Sequence, residues 1–113
     1  MPYYTISEAS SAQYADKGSK FISYVHPVAS VNSFKNMISN YKKENQKSSH
    51  VCNAYRIHIG TEIVDYSSDD GEPRGSAGQP ILNMLKRNNL VNVAAYVVRY
   101  FGGIKLGIKG LIN

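Results

Sequence analysis

The sequence predicts an α+β fold, a two-layer sandwich in which a mixed sheet carries two helices on one face. Three observations carry this. Short β-favouring runs recur at residues 3–8, 20–26, 55–59, 63–66 and 93–98, two intervening segments switch to a helical apolar period, and runs of strands alternate with single helices. At 113 residues the chain is expected to form one domain, 1–113, burying roughly two thirds of its unfolded surface without staples.

The first two runs, separated by the Ala/Ser/Gly-containing segment 9–18, read as a hairpin. From Ser30 the period changes: Phe34, Met37, Ile38 and Tyr41 fall at i, i+3, i+4 and i+7, one helical face. Lys35, Lys42, Lys43 and Glu44 take the remaining positions, Ser30 or Asn32 is available as a cap, and the helix should end near Asn45. Tyr55, Ile57 and Ile59 alternate with Arg56 and His58, and Gly60-Thr61 punctuates the passage to the next run, which predicts an antiparallel pair. Pro80 suits the first turn of a second helix. Ser76 can offer its oxygen to that helix's free N–H groups, Ile81, Leu82 and Leu85 form its apolar face, and Asn88-Asn89 should end it. Residues 93–98 are nearly all apolar, as in a central strand or one covered on both faces.

The single cysteine, Cys52, excludes an internal disulfide and reads as a buried thiol in a reducing compartment. With no apolar run of about 18 residues and no signal-peptide pattern, a soluble cytoplasmic protein is expected, with no membrane partner. The formal charge of +5 is unevenly spread. Residues 61–73 hold five acids and no base, whereas 74–113 hold six bases and no acid. Separate fields of opposite sign make nucleic acid a plausible partner, although bases scattered over several faces would serve only solubility.

Two glycine-rich strings flank the second helix: S-S-D-D-G-E-P-R-G-S-A-G-Q over 67–79, and V-V-R-Y-F-G-G-I-K-L-G-I-K-G over 97–110. Together with Ser19-Lys20-Phe21-Ile22 and His50-Val51-Cys52-Asn53-Ala54-Tyr55-Arg56, these words resemble, in order, the conserved core of the IMPACT/YigZ family. Ser76 stands where that family usually has Thr, and Lys109 where Gly is typical. The resemblance implies a fold like the second domain of ribosomal protein S-five and domain IV of elongation factor G. It also implies a helix from about 110–111 and, in bacterial members, a second ferredoxin-like domain. A chain stopping at Asn113 should leave part of a sheet face open, favouring a homo-oligomer.

Asp69, Asp70 and Glu72, with Asp65 nearby, could face a hard cation, but they read better as turn-forming carboxylates that hold backbone N–H groups and favour the positive end of the following helix, and no metal, cofactor or catalytic constellation is expected. The motif turns are Asp69, Asp70, Gly71, Glu72, Gly75, Gly78, Gly102, Gly103 and Gly107. They do not form a Walker loop: counted from Gly102, the lysine position holds Ile108. The residues expected to meet an anion or RNA are Arg74, Arg99, Lys105, Lys109, Lys42 and Lys43. Arg99, ending an apolar strand, should meet a carboxylate of the acidic block or a phosphate. Tyrosines sharing an exposed face could stack on bases, though most should be core. The resulting expectation is a non-enzymatic module of translation or its stress response, binding RNA, a ribosome-associated partner or a translation-regulatory protein. The alternative is a phosphate-ligand domain or small enzyme built on the glycine turns.

Overall fold

The computed structural model describes residues 3–16, 18–45, 50–71 and 77–100. The elements run β1 (Ser10–Asp16), β2 (Ser19–Pro27), α1 (Val31–Glu44), β3 (His50–Ile59), β4 (Glu62–Ser68), α2 (Gly78–Arg87) and β5 (Val93–Tyr100). The α+β class is as expected. The sheet has the order β1-β2-β5-β3-β4, and every pair is antiparallel. The expected mixed sheet is thus corrected: the parallel contact among the described residues is an isolated bridge, Tyr4 to Leu90.

The helices lie on opposite faces, which corrects the expectation of two helices on one face. Strand side chains alternate between faces, and β5 sorts them cleanly. Ala94, Tyr96, Val98 and Tyr100 join Phe34 and Tyr41 of α1 in one core, whereas Val93 and Ala95 join Leu82 and Leu85 of α2 in the other, with Ala54 from β3. Small Ala54 and Ala95 let α2 approach closely. Coverage on both sides also explains why residues 51–57 of β3 are all buried, Arg56 included at 8% exposure, instead of alternating.

The Ser30 hydroxyl accepts the Ser33 N–H at 3.2 Å to start α1, and Lys42 and Lys43 stand in its last turn, where cations suit the helix dipole. Rings dominate the α1 core. Phe34 meets Tyr55 edge-on at 4.6 Å and stacks on Tyr96 at 5.5 Å, arrangements that add to plain area burial.

The hairpin is shifted from its expected place. Its first strand is 10–16, inside the segment read as a connector, while 3–8 is represented by the single bridge at Tyr4, whose carbonyl accepts from Val91. Gly18 at φ 81° supplies the left-handed backbone of the tight turn into β2, which sets the register Asp16 to Ser19. At the other hairpin Gly60 (φ 64°) joins β3 to β4 as the sequence predicts. Beside α2, an open apolar groove of about 370 Å³ is lined by Ser23, Val25, Pro80, Ile81, Met84, Ala95 and Val97. The helix expected from 110–111 lies outside the described residues.

Candidate nucleic-acid interface at one end of the sheet

The register brings β2's start, β5's end, β3's start and β4's end together: Lys20 faces Tyr100, His50 faces Arg99, and Asn53 faces Ser68. The end of α1 arrives there through the Tyr100 hydroxyl, which donates to Asn45 Oδ1 at 2.6 Å. The start of α2 arrives through Asp69. The described residues of the four sequence words therefore meet at one pole of the domain.

The acidic turn is the clamp of this pole. Asp69 Oδ1 accepts the Ala77 N–H at 3.1 Å and the Gly78 N–H at 2.7 Å, so a carboxylate just past the end of β4 caps α2, whose own N-cap, Ala77, has no capping side chain. Ser76, expected in that role, lies outside the described residues. Asp70 Oδ2 accepts the Val51 N–H at 2.7 Å, and its Oδ1 meets Lys42 Nζ at 3.2 Å. The Asp70 N–H in turn donates to Ser68 Oγ at 3.1 Å, which helps hold Asp70 at φ 46°, a conformation Asp tolerates. The carbonyl of Asp70 accepts from His50 Nδ1 at 2.6 Å.

Two motif glycines have steric reasons. A Cβ at Gly78 would come within 2.6 Å of the Ser68 carbonyl oxygen, and one at Gly71 (φ 90°) within 3.2 Å of the His50 ring. Asp69, Asp70, Gly71 and Gly78 thus serve a close strand-to-helix junction, and the N–H groups of Ala77 and Gly78 already hold an internal carboxylate. Cys52 is buried and donates to the Asp69 carbonyl at 3.4 Å.

The candidate bases separate into three groups. Lys42 is ion-paired with Asp70 while its side chain stays 51% exposed, and Lys43 is exposed one residue further along α1. Arg99 lies on β5 with its guanidinium 5.5 Å from the Phe21 ring centroid, a cation–π geometry. Arg74, Lys105, Lys109, Glu72, Gly75, Gly102, Gly103 and Gly107 lie outside the described residues. Asp65, grouped in sequence with the acidic turn, sits away from it: its Oδ1 accepts from Arg56 Nε at 2.9 Å. Arg56 also donates to the Leu90 carbonyl at 3.4 Å and lies 5.8 Å from the Tyr3 ring centroid. Sequence reasoning missed this pair, although its signal was present in an arginine set between Tyr55 and Ile57.

Burial tunes several groups in the α1 core. The Tyr41 hydroxyl is pushed up to about 12 by burial, with Tyr24 and Glu44 adding to it, and burial also raises Tyr96. His26, which shares a hydrogen bond with the Tyr41 hydroxyl, is lowered by burial. These groups stabilise the core under α1. Among the described residues no helix is long and apolar enough to cross a membrane.

The fold and this pole define a five-stranded antiparallel α+β domain with an Asp-capped strand-to-helix junction of the S-D-D-G-E-P type. Residues 17–113 match the Impact N-terminal domain, and the chain belongs to the IMPACT family. It is 40% identical over 111 residues to the IMPACT family member YvyE of Bacillus subtilis, covering 98% of this chain and 51% of that protein. It is 35% identical over 98 residues to YigZ of Escherichia coli, covering 86% of this chain and 48% of that protein. A crystal structure of a hypothetical protein superposes with a TM-score of 0.78 at 32% identity, over 93% of this chain and 52% of that one. The two-domain translational regulator Yih1 superposes with a TM-score of 0.62 at 25% identity, over 90% and 41%. The chain thus spans about half the length of the relatives it matches.

Proposed function

We propose that this domain is a non-enzymatic, cytoplasmic translation-regulatory module that binds single-stranded RNA through the pole where its motifs meet. The observation carrying this reading is the distribution of charge. Lys20, Lys42, Lys43 and Arg99 stand at that pole. In the sequence, residues 74–113 add six bases and no acid. Two acids of the same pole, Asp69 and Asp70, are engaged within the fold. Such a surface draws in a polyanion through phosphate contacts. The similarity to the translational regulator Yih1 supports the setting.

In this reading Lys43, Arg74, Lys105 and Lys109 supply phosphate contacts, joined by Lys42 and Arg99. Reversing Lys105 and Lys109 together to glutamate should weaken binding of unrelated RNA sequences to a similar extent, because phosphate contacts carry no base information. Filter binding at low salt tests it. Unaltered affinity in the double variant would overturn the assignment of these residues.

A further inference from the structure

Tyr66 is 44% exposed on an edge strand, yet its ring is fixed in place. It stacks on Tyr55 at 5.2 Å with the planes 20° apart, and Phe34 meets it nearly edge-on at 5.8 Å. Phe34 also packs on Tyr55, so Tyr66 ends an aromatic series that begins in the core. Because β4 is the edge of the sheet, the ring face turned away from Tyr55 has no cross-strand neighbour among the described residues.

Two of the acids around Tyr66 are paired, Asp65 with Arg56 and Asp70 with Lys42. Lys35 and Lys42, seven residues apart on α1, share one side of the helix, and Lys42 reaches Asp70 just beyond the end of β4, which turns that side toward Tyr66. Asp70 follows Tyr66 by four residues, about 13 Å at a strand's rise. A single strand a few nucleotides long spans that separation. Among the described residues the other strongly exposed tyrosines lie elsewhere: Tyr3 is under Arg56, and Tyr4 bridges to Leu90.

Resting on the RNA reading above, we infer that Tyr66 is a base-stacking platform, its open ring face extending the Phe34–Tyr55–Tyr66 series by one base while phosphates of the same strand lie along the lysine side of α1 toward the basic pole. A fixed ring loses little freedom on stacking. Every base offers a π face, so the contact is base-dependent without being sequence-specific.

The probes are an oligouridylate of about ten nucleotides and an abasic phosphate oligomer of the same length. Tyr66→Ala and Tyr66→Leu should each bind the oligouridylate about tenfold more weakly than the wild type, with affinity for the abasic oligomer unchanged, and Tyr66→Phe should bind like the wild type. The leucine variant keeps apolar packing on Tyr55 but lacks a π face, which separates stacking from loss of fold. If wild type binds RNA and both variants leave the two probes unaffected, or weaken both equally, the stacking assignment is overturned, the first result fitting a Tyr66 that faces a protein. If the wild type binds neither probe at low salt, the RNA reading fails and the platform fails with it.

Discussion

Replacing Asp69 by alanine tests the junction on which the candidate interface is built. The carboxylate holds two N–H groups at the start of α2, at 3.1 and 2.7 Å, and no capping side chain stands at Ala77 to replace it. Loss of a helix cap costs about 0.5–2 kcal/mol, and hydrogen bonds to a charged group contribute about 1.5–3 kcal/mol. With water able to reach the half-buried site, the net loss should be about 2.5 kcal/mol. A chain of this length unfolds with an entropy of about 0.24 kcal/mol/K, so Tm should fall by about 10 °C. Asp69→Asn keeps an acceptor oxygen and loses the charge, and should cost about 1 kcal/mol, or about 4 °C. Thermal and urea denaturation followed by circular dichroism read both variants. Tm values for the alanine variant within about 2 °C of wild type would refute the cap.

Gly78→Ala should destabilise by at least about 1–3 kcal/mol, since the added methyl meets Ser68 backbone that must shift; urea midpoints check it, and a neutral substitution would contradict the close approach. Asp65→Ala strands the buried Arg56 guanidinium and should cost about 3 kcal/mol, whereas the double change with Arg56→Met should recover part of that loss in a double-mutant cycle. Tyr41 and Tyr96 are raised in the folded chain, so the unfolded chain ionises first: their stabilisation is complete below about pH 10 and falls by about 1.4 kcal/mol per pH unit for each as pH rises toward 12. His26 is lowered, so its contribution is complete above its ordinary value near 6.5 and declines as pH falls below it. Urea titrations across pH should show both flanks, and Tyr41→Phe should flatten the alkaline one.

How much of this was legible depended on whether local pattern or cross-sheet register decided the feature. The period of Phe34, Met37, Ile38 and Tyr41 marked α1 because one stripe meets the core, and the Gly60-Thr61 hairpin follows from turn chemistry. The unbroken apolar run of β5 held the clue to coverage on both faces, since Ala94 and Ala95 are both fully or nearly fully buried under different helices. β1 was missed because an exposed edge strand, S-S-A-Q-Y-A-D, has no apolar alternation and is held by its ladder to β2. Strand-to-helix capping by Asp69, and the pairing of Asp65 with Arg56 in place of a neighbouring acid's role, depend on register, which single residues do not encode. Within the site, turn chemistry already pointed to carboxylates that hold backbone N–H groups ahead of α2, as Asp69 and Asp70 do, but not to which N–H groups each one holds.

The central claim, RNA binding at the basic pole, is tested most directly by the salt dependence of RNA affinity for this chain. Each phosphate contact with a single strand contributes about 0.7 to the slope of log affinity against log salt, so engagement of four of the pole's bases predicts a slope of about −3, reduced in magnitude by about 1.4 in the Lys105→Glu, Lys109→Glu variant. A slope near zero, or no binding at low salt, would contradict the account.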